Sequence, residues 1–246
     1  MIVLFTDFGI AGPYVGQMKN VIASIDEGIT VIDLFHDAPS CETKYSSYLL
    51  AAYTQTFGVG TIFVAVVDPE VGSKRLPLIL KADGKWFVGP DNGLFEIIIR
   101  RSSKVEAFRI PQPPKLKSAS FHGRDVFAPA AARIAIGTHQ DLLSQKIDPK
   151  RRPDWPDQLP EVIYLDHFGN AITGLLGANL DTSAVLVARE KRLMYARVFS
   201  EVPQGQAFWY KNSNNLVEIA VNKGRADILG LKLGTAIKVF LDEEGV

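Results

Sequence analysis

The sequence predicts an α/β fold, a doubly wound and mostly parallel sheet, followed by a smaller all-β sandwich or barrel. Three observations carry that expectation. Up to about residue 147, apolar runs of strand length alternate with stretches of helical spacing, joined by short connections. From Lys146 to Pro160 the texture changes to four prolines, several charges and little apolar content, as in a linker. Beyond it, short β-prone runs are separated by Gly, Asn and Asp turns. The expected organisation is an α/β domain over 1–147, a Pro-rich linker over 148–160 and a β-domain over 161–246.

The elements follow in order. Met1 to Phe5 is an apolar strand running into Thr6-Asp7-Phe8-Gly9. Pro13 suits the first turn of a helix, and Val15, Met18, Val21, Ile22 and Ile25 repeat at helical spacing. Thr30 to Phe35 is a second strand ending in His36-Asp37, and Tyr45 to Tyr53 a second helix. Ile62 to Val67 is continuously apolar, as expected of a strand buried on both faces. It stops at Asp68-Pro69, because proline cannot donate to a sheet ladder. Leu76–Leu80 and Trp86–Val88 flank Asp83-Gly84, a strong two-residue hairpin signal. The compact loop Gly89-Pro90-Asp91-Asn92-Gly93 follows, and periodicity leaves Leu94–Ile99 open between helix and strand. Val126 to Ile136 has helical spacing, with Asp125 as its expected N-cap and Pro129 in its first turn. In the β-domain the expected strands are Val162–Leu165, Ala184–Ala188, Met194–Phe199, Leu216–Val221 and Ala236–Leu241.

Composition narrows the function classes. The 246 residues carry 27 basic and 27 acidic side chains, a balance that argues against a nucleic-acid surface. No apolar run approaches the roughly 18 residues of a membrane span, and no cleavable signal opens the chain, so a soluble cytoplasmic protein is expected. The single cysteine, Cys41, excludes an internal disulfide and an all-cysteine metal cage. The four histidines form no ligand pair at metal-binding spacing, so no metal site is expected. Phosphate-loop, dinucleotide and nucleophile-elbow patterns are also missing.

Four polar clusters remain. Asp7 with Phe8 lies at a strand tip, where it can accept hydrogen bonds from sugar hydroxyls or cap the next helix. Asp68 lies at the tip of another strand, where open α/β sheets bind ligands, and Arg75 can fold back onto it across a Gly-containing loop. His122 stands just ahead of a helix N-terminus, whose partial positive charge disfavours imidazolium; a neutral ring able to accept a proton is expected. Asp166-His167-Phe168-Gly169-Asn170 in the β-domain is the fourth cluster, and its simpler reading is a Gly-Asn hairpin turn.

Taken in sequence, TDFG at 6–9, VDPEVGSKR at 67–75, FVGPDNG at 87–93, FHGRDVFAPAAA at 121–132, DHFGN at 166–170 and EIAVNKGRA at 218–226 resemble the S-adenosylmethionine hydrolase family. Its members are also called S-adenosylmethionine hydroxide adenosyltransferases and are relatives of the fluorinases and chlorinases. The resemblance implies that water or hydroxide displaces methionine from ribose C5′ of S-adenosylmethionine, giving adenosine and L-methionine. It implies that Asp68, Arg75 and His122 act on the water, leaving open whether Asp68 or His122 is the base. It assigns Asp7 to the ribose, and Asp166, Phe168 and Asn170 to the methionine end and the region of the base. Ser213, Glu218 and Val221 fall where the family contacts adenine and methionine. S-adenosylmethionine is then substrate rather than cofactor, and no further cofactor is implied. The resemblance also implies a homotrimer with sites at subunit interfaces.

Two departures stand out. Glu70 occupies a position that is glycine in the family's usual Asp-Pro-Gly-Val-Gly, so a strained or reshaped loop is expected if that position needs positive φ. The second strand ends Asp33-Leu34-Phe35-His36-Asp37, where the family more often has Asp-Ile-Thr-His. The competing readings are an S-adenosylmethionine-dependent halogenase and a non-catalytic sensor of adenosine or S-adenosylmethionine, the latter motivated by Glu70. A methyltransferase fits less well.

Overall fold

Strands whose every residue is apolar can be satisfied only between two helical layers, and the first part of the chain is built that way. The computed structural model describes residues 1–111 and 118–241; 112–117 and 242–246, the latter ending the expected 161–246 domain, lie outside the described residues. The chain divides into two compact units, Met1–Pro153 and Asp154–Val246.

In the first unit, β1 (Ile2–Thr6), β2 (Val31–Phe35), β3 (Ile62–Val66), β4 (Pro77–Ala82), β5 (Lys85–Pro90) and β6 (Val105–Arg109) form one sheet in the order β2-β1-β3-β5-β4-β6. β2, β1, β3 and β5 are parallel, while β4 runs antiparallel to both β5 and β6. Helices α1 (Tyr14–Ile25) and α4 (Ala128–Ala135) place Val15, Met18, Ile22, Ala130, Ala131 and Ile134 in one core with alternate strand residues Ile2, Leu4, Ile62 and Val64. Helix α2 (Thr43–Tyr53) covers the opposite face, where Phe35 sits between Phe5 and Tyr53 with ring centroids about 5.5 Å apart. The doubly wound α/β expectation therefore holds. β1 and β3 are in level register, Ile2 against Ile62 through Thr6 against Val66. Asp7 and Asp68 consequently leave neighbouring strands at the same edge. The chain runs from β1 outward to β2 and then back to β3 on the other side, so this edge is a topological switch point.

The Asp83-Gly84 turn has positive φ at both residues, 44° and 81°, the geometry a tight hairpin requires. The segment left open by periodicity is helix α3 (Glu96–Arg101). The long helix expected from Val126 begins differently. Residues Gly123–Phe127 form a π turn that leads into α4. Pro129 has no N–H to bond the Asp125 carbonyl, so the first α-type bond is lost there. Asp125 is therefore not the N-cap. Its carboxylate instead accepts from Ser118 N (2.8 Å) and pairs with Arg124. Gly89, in β5, is a glycine for steric reasons: a Cβ there would lie 2.2 Å from the Ala65 carbonyl oxygen and 2.9 Å from the Phe95 ring. Gly89→Ala is expected to cost about 3 kcal/mol in urea unfolding, since a backbone carbonyl in a central strand cannot step aside.

The second unit holds β7 (Leu159–Leu165), β8 (Ala171–Leu176), β9 (Val185–Ala188), β10 (Lys191–Tyr195), β11 (Ala207–Lys211), β12 (Leu216–Val221) and β13 (Lys238–Phe240), in the order β13-β9-β10-β11-β12-β8-β7. Neighbours are antiparallel except β10 and β11. A bridge between Glu161 and Ala236, with Val162 N donating to Thr235 O (2.9 Å), stitches the β7 edge to the residues leading into β13. The sheet curls towards a barrel, which removes exposed edges. Trp209 anchors its core and donates Nε1–H to Ala184 O at 3.0 Å. Strands β6, β8 and β11 were not among the sequence expectations, and the run expected to Phe199 ends as a strand at Tyr195.

Candidate active site

At the switch point the sequence supplies two strand-tip carboxylates and a glycine-containing loop, and the fold brings Arg75 and His122 to them. Arg75 donates Nε–H to Asp68 Oδ1 at 3.0 Å and one Nη2–H to Asp68 Oδ2, a bidentate pair with both side chains almost fully buried. The second Nη2–H donates to His122 Nδ1 at 2.7 Å. The guanidinium lies over the Phe127 ring, 5.3 Å from its centroid. Its remaining nitrogen, Nη1, is buried with no hydrogen-bond partner among the described residues.

This arrangement determines the state of His122, which is 3% exposed. An arginine can only donate, so Nδ1 must accept and the neutral ring carries its proton on Nε2. Burial, reinforced by the Arg75 charge, holds the imidazole pKa below its ordinary value. This is the arrangement of a neutral imidazole, and the largest cause of its lowered pKa is desolvation rather than a helix terminus. With Nδ1 accepting from Arg75, the Nε2–H is the ring's remaining polar hydrogen.

Asp68 and His122 line a cavity of about 500 Å³ together with Asp7, Phe8, Tyr14, Gln17, Ser120, Phe121 and Arg124. Asp7 Oδ2 accepts from Cys41 N at 2.9 Å. Burial raises the Asp7 pKa, and the Asp68 charge pushes in the same direction. Phe8, Tyr14 and Phe121 form a three-ring cluster with centroids 5.4 to 5.9 Å apart. The two segments that contain the departures from the family pattern have clear structural places, and in the first of them the contacts are made by the matching residues Asp33 and His36. Buried His36 bonds Thr6 Oγ1 (2.8 Å) and Asp33 (3.1 Å), while Thr6 Oγ1 also accepts from Phe8 N, so His36 braces the turn that carries Asp7. Glu70 is not strained: the positive φ of the loop falls on Gly72 (80°), and the Glu70 carbonyl accepts from Ser73 N. The loop strain considered for Glu70 is absent because the turn needs its left-handed residue two positions later.

In the second unit Asp166, Phe168, Asn170, Ser213, Glu218 and Val221 all line another cavity, of about 730 Å³. Asp166 accepts from both Asn170 nitrogens, closing the β7–β8 turn, where Gly169 takes φ 82°. Phe168 is 71% exposed. Glu218 accepts from Tyr210 Oη–H and from Asn212 Nδ2 at 2.9 Å. Burial raises the Glu218 pKa, and burial together with the Glu218 carboxylate raises that of Tyr210. Sequence reading missed Tyr210, Asn212 and Phe199 here, and Tyr14, Phe121 and Arg124 in the first cavity. Tyr210 stands directly opposite Glu218 across β11 and β12, so its signal was the alternation of a strand that went unrecognised.

Residues 2–144 match the SAM hydroxide adenosyltransferase N-terminal domain, and residues 160–238 match the SAM hydroxide adenosyltransferase C-terminal domain. The chain belongs to the SAM hydroxide adenosyltransferase family. It is 37% identical to the (R)-S-adenosyl-L-methionine hydrolase of Thermus thermophilus, over 96% of this chain and 97% of that protein. A fluorinase of Nocardia brasiliensis is 22% identical, over 97% of this chain and 96% of the fluorinase. The crystal structure of an uncharacterized conserved protein from Thermotoga maritima superposes with a TM-score of 0.86 at 27% identity, covering 97% of this chain and 99% of that one. Among the described residues of this family member, no group of three or more His, Cys, Asp or Glu side chains is placed to hold a metal ion, and no helix is long and apolar enough to cross a membrane.

Proposed function

We propose that this chain hydrolyses S-adenosyl-L-methionine, with water attacking ribose C5′ to release adenosine and L-methionine. The observation that carries the reading is the buried Arg75 joining Asp68 to a neutral His122 at the switch-point edge. A new O–C5′ bond forms as the C5′–S bond breaks, and its electron pair returns to sulfur, leaving the neutral thioether of methionine. The water proton passes to Asp68. His122 Nε2–H donates rather than accepts, so Asp68 is the base in this reading. Charge is lost as an anionic nucleophile meets a sulfonium, so a buried setting assists the step.

Asp7 accepts from the ribose hydroxyls, and Phe8 belongs to the aromatic wall beside it. Asp166, Phe168, Asn170, Ser213, Glu218 and Val221 hold the methionine end and the base. The same reading includes a homotrimer with sites at subunit interfaces, supported by the exposure of Phe168 in the second cavity. S-adenosylmethionine is the substrate, and neither a nucleic acid nor a membrane is a partner. The chain is organised as an α/β catalytic domain, a linker and a β-domain, and it works in the cytoplasm.

Turnover in oxygen-18 water is expected to put the label in the adenosine 5′-hydroxyl, read by mass spectrometry, with light scattering of the same sample giving the mass of three chains. Unlabelled adenosine would refute attack at C5′. A 5′-halo-5′-deoxyadenosine as main product in the presence of halide would favour the halogenase reading, and binding without turnover the sensor.

A further inference from the structure

Asn92 stands in the loop that follows β5, 2% exposed, and both ends of its amide are in use. Nδ2 donates to the Val67 carbonyl at 2.9 Å, and Oδ1 accepts from Leu94 N at 3.1 Å. One partner can only accept and the other can only donate, so the orientation of the amide is fixed. Val67 is the residue between the end of β3 and Asp68. Its carbonyl has left the sheet ladder, and the peptide that it begins carries the Asp68 backbone.

The loop is in turn held from the segment that sequence reading treats as linker. Arg152 Nη2 donates to the Asn92 carbonyl (2.9 Å), Lys150 N donates to Asp91 Oδ1 (2.8 Å), and Arg152 N donates to buried Glu96 (2.9 Å). The Lys150 ammonium also lies 3.7 Å from Glu70, on the loop between Asp68 and Arg75. Residues 150–152 therefore touch both loops that flank the tip of β3.

We propose that Asn92 is a positioning residue for Asp68, and that the 150–152 strap fixes Asn92 in that role. The inference rests on the reading of Asp68 as the base. Arg75 sets where the Asp68 oxygens point, but it grips only the carboxylate. The Val67–Asp68 peptide plane is gripped by Asn92, and a rotation of that plane swings the carboxylate together with its arginine. A displacement of about 1 Å at a reacting group is enough to cost on the order of 100-fold in rate.

The test is Asn92→Asp, which keeps the shape, keeps an acceptor for Leu94 N and replaces the donor facing Val67 O with a second acceptor. The expected result is a fall in kcat of about 10- to 100-fold with KM for S-adenosylmethionine changed less than about 2-fold. On an Asp68→Asn background the same substitution is expected to add nothing, because its effect passes through the carboxylate. Arg152→Ala is expected to show the same kcat-only, non-additive pattern at smaller size, and it carries the test if circular dichroism shows that Asn92→Asp does not fold. A parallel change in kcat and KM, or the same loss on the Asp68→Asn background, would overturn the proposal and leave Asn92 as a purely structural residue. A wild type that turns over normally beside an Asn92→Asp protein of equal rate removes only this inference. A wild type that releases no adenosine removes the functional reading, and this inference with it.

Discussion

Arg75→Lys is expected to lower kcat about 100- to 1000-fold, the range found when one preorganised donor is removed from a buried catalytic site. The side chain makes three directed bonds at once, two to Asp68 and one to His122 Nδ1. An ammonium on a flexible stem is a point charge without the planar fork, so it cannot hold both carboxylate oxygens in plane and still face the imidazole. His122 would lose the donor that fixes its tautomer, and Asp68 would lose the clamp that orients its oxygens. Arg75→Ala goes further, because it leaves the Asp68 carboxylate, with a side chain only 5% exposed, without its counter-charge. A cost of about 3–5 kcal/mol in unfolding free energy is expected from that uncompensated charge. Initial rates of adenosine release and urea denaturation separate the two effects. A lysine variant within a factor of about three of wild type would show that the fork geometry is irrelevant to turnover.

Glu96→Gln is expected to be the most destabilising change away from the catalytic cluster, at about 3–5 kcal/mol. Glu96 is fully buried, yet its carboxylate accepts from Arg100, from Arg151 and from the Arg152 backbone N–H. A neutral amide cannot compensate the surrounding guanidinium charges, and its NH₂ would face donors. Wild-type stability should also depend on pH through this group. Burial pushes the Glu96 pKa upward, but the arginine and backbone hydrogen bonds outweigh it and the net shift is downward from 4.5. A carboxyl group lowered in the folded state stabilises above its unfolded pKa, and the contribution is lost as pH falls through the lowered folded value. Urea midpoints followed from neutral into acidic solution should therefore fall more steeply below about pH 4.5 for wild type than for Glu96→Gln. Parallel curves would rule out Glu96 as a source of acid sensitivity.

These expectations also mark how legible the protein was from its residues. The apolar runs of β1 and β3, the Asp-Gly hairpin and the spacing of α1 follow from local rules, because burial on two faces and a two-residue turn leave their imprint in adjacent positions. Asp7, Asp68 and Arg75 were legible for the same reason: each is tied to a strand tip or a short loop. The network around Glu96 was not, since it joins α3 to residues more than fifty positions away. That distance is also why the segment reads as a linker in sequence while residues 150–152 are bound to the first unit.

Local order along the chain carries the succession of α/β and β parts, the strand-tip carboxylates and the six motifs of the family. Which donors and acceptors meet is set by the packed fold. Nothing local in Phe121-His122-Gly123 says that Nδ1 will accept from an arginine 47 residues earlier. Nothing in Asn212 or Tyr210 says that β11 and β12 will lay them against Glu218. Hydrogen bonds depend on ångström-scale distance and direction, and those are set only when elements far apart in the chain pack together.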